Sequence, residues 1–126
     1  MFKLNSSIAL AIALVSATAA QAHTKVVSSS PAANASVSPT NTIKITFNEK
    51  AMAAVSGADV VMTGMPGMAK HAPTKITGLK TAWSPDGKTV TMTAGRPFPK
   101  GTYQVAWHAA GADTHRMMGK YTFMVK

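Results

Sequence analysis

The chain has 126 residues, 13 basic against 4 acidic, a formal net charge of +9 and no cysteine. That length holds one domain with a modest core. The absent thiols exclude disulfides and thiolate metal sites, and the scattered lysines, never five in a run, argue against a nucleic-acid surface.

The chain opens like a secretory leader. Lys3 supplies a positive start, residues 8–15 (IALAIALV) form an apolar stretch, and Ala20-Gln21-Ala22 offers a small-x-small cleavage pattern. The stretch is too short to cross a bilayer as a helix, and no second hydrophobic span follows, so the expected product is soluble. Residues 1–22 therefore read as a signal peptide and 23–126 as the single mature domain, with His23 at its head. Outside the cytosol, its excess of lysine fits solubility and attraction to anionic membrane surfaces. A small exported domain without disulfides has to stand on its core alone.

Past the leader, short alternating segments follow one another. Residues 25–29 are a first candidate strand. Ile43, Ile45 and Phe47 alternate with Thr42, Lys44 and Thr46, and segments 58–63 and 75–83 come next. Ser84-Pro85-Asp86-Gly87 is a turn that joins the last of these to 88–93, where Val90 and Met92 alternate with threonines. Tyr103, Val105 and Trp107 make one stripe, and Tyr121, Phe123 and Val125 another. Period-2 alternation is the mark of a half-buried strand. No segment reads as an amphipathic helix. About seven short strands with frequent turn signals predict an all-β fold, a Greek-key antiparallel sandwich or barrel. Gly101-Thr102-Tyr103, after Pro97 and Pro99, has the makings of a tyrosine corner.

Two connections read as long loops, roughly 64–74 and 109–119. The first includes the end of "VVMTGMPGMAKH", which spaces Met62, Met65 and Met68 at steps of three. That spacing suits one face of a helix, but Gly64, Pro66 and Gly67 break helices. Thioethers are soft ligands, and a set of them selects Cu(I) over hard cations. Met65 and Met68 carry this reading, because a Gly/Pro loop gives them no core to fill; Met62 closes a candidate strand and can simply pack. The second loop holds Asp113-Thr114-His115. In extended chain, residues two apart point the same way, so a carboxylate and an imidazole can meet one ion. Alone, this motif is as ordinary as any surface turn. Cleavage after Ala22 adds to it: His23 would then offer an α-amine beside its imidazole, and with Asp113 and His115 this makes three nitrogens and one oxygen, a set suited to Cu(II).

Taken together, "AHTKVVSSSPA" after a leader, "MTGMPGM", "GTYQVAWHAAGADTH" and the closing "GKYTFMVK" resemble CopC-type periplasmic copper resistance proteins over essentially the whole mature chain. The resemblance implies an immunoglobulin-like or cupredoxin-like β-sandwich that carries copper in the periplasm. It implies Cu(II) ligands at His23, Asp113 and His115, and a Cu(I) site at Met62, Met65 and Met68 with His71 beside them. Glu49, in "FNEK", falls on an acidic position near the Cu(II) site and is a candidate for orienting its ligands. The implied partner is an inner-membrane copper transporter of the CopD type, and the carrier is expected to be a monomer that is not itself membrane-spanning. The chain departs from the pattern at Thr74, where fuller Met loops have a further methionine, and at His108, where arginine is frequent. His108, Met52, Met92 and Met124 receive no ligand role; Met117 and Met118, close to the Asp113–His115 motif, read first as packing or exposed residues, with auxiliary sulfur ligands as the alternative.

Two other readings compete with a non-catalytic carrier. A copper-dependent oxidative enzyme also uses an N-terminal histidine chelate, but it needs a broad binding face, and thioethers exposed to its products would be oxidised. A metal-free sandwich acting as an interaction module would bind no copper tightly.

Overall fold

The computed structural model describes residues 23–68 and 72–126. The segment 1–22, read as a leader, and His71 lie outside the described residues. Two sheets form an open sandwich. One has the order β1 (Val26–Ser30), β3 (Thr42–Phe47), β7 (Thr89–Thr93), β6 (Lys80–Trp83). The other runs β2 (Ser36–Val37), β9 (Arg116–Val125), β8 (Gly101–Ala110), β4 (Gly57–Gly64), β5 (Thr74–Lys75). Seven strands of four residues or more carry the architecture, and β2 and β5 are two-residue additions at the edges of the larger sheet. The expected all-β sandwich is what the chain forms. Among the described residues, all pairings are antiparallel except the short β2–β9 contact, and the one helical piece is a single 3-10 turn, Ala53–Val55.

The core is built from the inward half of each alternation. Ile43, Ile45, Val60, Val90, Tyr103, Val105 and Phe123 are fully buried. Tyr103 stacks on Phe123 with ring centroids 5.3 Å apart, and Phe98 closes over Tyr103 at 5.5 Å. Toward the opposite end, Phe47 meets Trp107 edge-on at 5.6 Å and Trp83 at 6.3 Å. The hydroxyl of Tyr103 donates to the carbonyl of Pro99, so the expected tyrosine corner is present. Ser84–Gly87 forms the expected turn, with Gly87 N–H donating to Ser84 O at 2.9 Å.

Three expectations need correction. Residues 75–83 are not one strand: Thr74–Lys75 pairs with β4, Lys80–Trp83 pairs with β7, and Gly78 at φ 74° lies on the crossing between the sheets. The alternation there continued through a change of sheet, which periodicity does not register. The 109–119 connection is also much shorter than expected. β8 and β9 pair from Gly101↔Val125 to Ala110↔Arg116, so the turn is only residues 111–115. The two alanines that read as loop are strand residues at a crowded position: Ala109 and Ala110 are buried. Finally, Asp113 and His115 do not lie in extended chain. Thr114 takes φ 63° and its N–H donates to Gly111 O at 2.9 Å, a reversal of the chain.

Burial pushes the phenols of Tyr103 and Tyr121 up to about 12 from an ordinary 10.0. A raised folded-state value leaves this stability intact below about pH 10 and removes it as pH climbs through about 12. The denaturant midpoint should therefore hold steady from neutral pH to about 10 and fall beyond it. In the Tyr103→Phe/Tyr121→Phe double variant the fall should be shallower; an unchanged slope would place its cause elsewhere.

Candidate metal centres

The N-terminal residues of the described chain are held by the end of β3. Asn48 brackets them: its side chain accepts from Lys25 N–H at 2.9 Å and donates to His23 O at 3.1 Å. Its own N–H donates to Lys25 O at 3.0 Å. Between these contacts Thr24 is buried, 1% exposed, and its hydroxyl donates to Glu49 Oε1 at 2.7 Å. The same carboxylate lies directly against Gly111, where any Cβ would collide with Oε1. Glu49 therefore ties the His23 segment to the residue that opens the β8–β9 turn. A Cβ at 111 would have to displace this carboxylate from its bond with Thr24.

The turn is held from its other flank as well. Ala110 N–H donates to Ser56 Oγ at 3.1 Å, and Met52 N–H donates to Ala110 O at 2.8 Å. Within the turn, Asp113 Oδ1 accepts from His115 N–H at 3.2 Å, and Oδ2 stands 3.5 Å from His115 Nδ1. The ring of His23 stacks on that of His115 with centroids 6.5 Å apart. The result is one cluster: ligand atoms of His23, Asp113 and His115 all lie within 4.8 Å of one another, and all three residues are exposed. Donors bound at about 2.0–2.1 Å to one ion are at most about 4 Å apart, so a small closure completes the set. Glu49 is not in this cluster; its carboxylate takes the Thr24 hydroxyl beside His23 and abuts Gly111 at the start of the turn.

The methionine segment takes a different form. β4 ends at Gly64, and Met65 and Met68 form a two-way bridge, each N–H donating to the other's carbonyl at 2.9 Å. Pro66 and Gly67 are the corners, with Gly67 at φ 81°, a left-handed position suited to glycine. Residues opposed in an antiparallel bridge send their side chains to the same side. The M-P-G-M tetrad thus sets two thioethers beside each other, and both are open to solvent, Met65 at 42% and Met68 at 51% exposed. Met62 is placed otherwise: it is 8% exposed and belongs to the core. Its methyl fills space next to Gly101. The regular step of three in the sequence thus spans two environments, because the strand's inward parity reaches Met62 and ends before Met65.

The remaining candidates sort by strand parity. Met92 is core; Met117 is half-buried opposite Ala109; Met118 is exposed opposite His108 on the outer sheet face. Missing from the sequence reading were Thr24, Asn48 and Gly111, which fix the first cluster. The signal for them lay in "NE" at the end of a strand and in the glycine opening "GADTH", but only the fold shows that they meet.

Comparison with known proteins identifies the family. Residues 26–126 match the model of the CopC domain. Copper resistance protein C of Xanthomonas campestris pv. juglandis is 42% identical over 124 residues, covering 95% of this chain and 96% of that protein. The chain belongs to the CopC family. Copper resistance protein C of Escherichia coli is 40% identical over 107 residues, with 85% and 84% of the two chains covered. The crystal structure of PcoC, a methionine-rich copper resistance protein from Escherichia coli, superposes with a TM-score of 0.74 at 38% identity, over 83% of this chain and all of that one.

If Asn48 holds the first residues of this CopC domain, Asn48→Ala should speed hydrogen exchange at the Lys25 amide several-fold, in keeping with a bond worth about 1 kcal/mol. Exchange at Ile45 in the core should not change. An unaltered Lys25 rate would show that the bracket holds nothing.

Proposed function

We propose that this CopC-family chain is an exported, non-catalytic copper carrier with two sites divided by oxidation state. The observation that carries the reading is the separation of two donor sets of opposite softness on one rigid strand. The His23–Asp113–His115 cluster stands at the end of β8, and the Met65–Met68 turn follows β4 where Gly64 pairs with Thr102 at the start of β8. Ten residues of strand lie between them, about 30 Å at the rise of an extended chain. One ion cannot bridge that distance. Nitrogen and oxygen donors suit Cu(II), and thioethers suit Cu(I), so a change of oxidation state moves the ion off one site and toward the other.

Both sets are exposed, which suits acquisition and release of a cargo ion, and among the described residues no helix is long and apolar enough to cross a membrane. We read residues 1–22 as the leader, the periplasm as the place of action and an inner-membrane copper transporter as the recipient. In this reading the fourth Cu(II) donor is the α-amine of His23, which exists only after cleavage following Ala22. Export then creates the site, and the uncleaved precursor lacks it. The chain starting at His23 should hold Cu(II) at least about tenfold more tightly than the same chain with one glycine added in front, because the amine becomes an amide. Competition titration against a Cu(II) chelator measures this; equal affinities would remove the amine from the ligand set.

For the soft site, Met65→Leu/Met68→Leu keeps volume and apolarity while deleting both sulfurs. It should weaken Cu(I) binding by about two orders of magnitude and leave Cu(II) affinity within a factor of about two. Parallel loss of both ions would mean one shared site.

A further inference from the structure

With Met62 in the core, the M-P-G-M turn by itself presents two sulfurs. A third thioether faces the same place from another strand. Met124 lies on the outer face of β9, between the inward residues Phe123 and Val125, and is 40% exposed. It pairs with Thr102 of β8 on one side and Ser36 of β2 on the other, and Thr102 pairs in turn with Gly64, the residue before Met65. Met124 is thus two strand spacings from the end of β4, about 10 Å, a gap that two long, flexible side chains can close from either side. Met65 and Met124 line one shallow recess, together with Pro66, Gly101 and Thr102. Lys100 also lines it, on a stem long enough to keep its charge in water.

Met124 is not part of the core, which takes Phe123 and Val125 on either side of it. The outer-face positions beside it are Ser36 and Thr102, small polar residues that leave room above the sheet. A thioether there lines the same recess as Met65, one of the two thioethers of the turn.

We propose that Met124 is the third sulfur donor of the Cu(I) site, supplied by β9 to the Met65–Met68 turn. This rests on the reading of that turn as the soft-metal site. A donor on a ten-residue paired strand is fixed in place, while the turn closes onto it. The sulfur set therefore spans two segments far apart in sequence, and the strand that provides Met124 begins next to the Asp113–His115 turn.

The test is anaerobic Cu(I) titration of the protein carrying methyl-13C methionine, followed by two-dimensional NMR, with Met124→Leu titrated alongside. The methyl signals of Met65, Met68 and Met124 should shift together and saturate at one equivalent, while the exposed Met52 and Met118 stay still. Met124→Leu should lower Cu(I) affinity about tenfold and leave Cu(II) affinity unchanged. If Met65 and Met68 shift but Met124 does not, or if Met124 shifts and its leucine variant binds Cu(I) as tightly as the parent, the third-donor assignment is overturned and the turn stands. If none of the three shifts, the turn itself is not the site and both readings fall.

Discussion

The register between β8 and β9 is the constraint on which the rest depends. Tyr103 opposes Phe123, Val105 opposes Tyr121, and the pairing continues without interruption to Ala110 and Arg116. Side chains alternate strictly across a sheet, so a slip of one residue would turn the aromatic stripe to water and bring Gln104, His108 and Lys120 inside. The same register places the Asp113–His115 turn at one end of the hairpin and Met124 near the other. The anchoring of the core and the placement of the donors are therefore one fact about the chain.

Much of this was legible because alternation is a local signal. The stripes Ile43/Ile45/Phe47, Tyr103/Val105/Trp107 and Tyr121/Phe123/Val125 read directly as inward faces, and Tyr103 after Pro99 read as a corner because that device is short in sequence. What failed was whatever depended on partners. Lys75 and Trp83 share a continuous pattern but pair with different sheets. Ala109-Ala110-Gly111 reads as loop by composition, yet its small residues are there because Glu49 presses against Gly111 and the sandwich closes over the alanines. At the candidate site the ligand residue types were visible. The clamp that assembles them was not: Thr24, Glu49 and Gly111 are brought together across 25 and 62 positions of chain. Met62 illustrates the converse. Its spacing groups it with Met65 and Met68, while the parity of β4 assigns it to the core.

The two donor sets also differ in how they are prepared. The nitrogen–oxygen cluster is pinned by Asn48, Glu49 and Ser56 through five hydrogen bonds to the backbone or to Thr24, and by the turn's own bond from His115 N–H to Asp113. Donors held so near their bound positions lose little freedom on binding, which favours retention. The thioethers sit on a four-residue turn with a single bridge, at the exposed edge of the fold. A flexible, soft set of this kind suits an ion that has to leave again.

The central claim is that oxidation state decides which end of the sandwich holds the ion. X-ray absorption at the copper edge of one sample, loaded with one equivalent of Cu(II) on the chain starting at His23 and then reduced without removing the metal, tests it most directly. The account predicts only nitrogen and oxygen scatterers before reduction and a first shell dominated by sulfur after it. A shell that keeps its nitrogen and oxygen donors through reduction, or that contains sulfur from the outset, would contradict it.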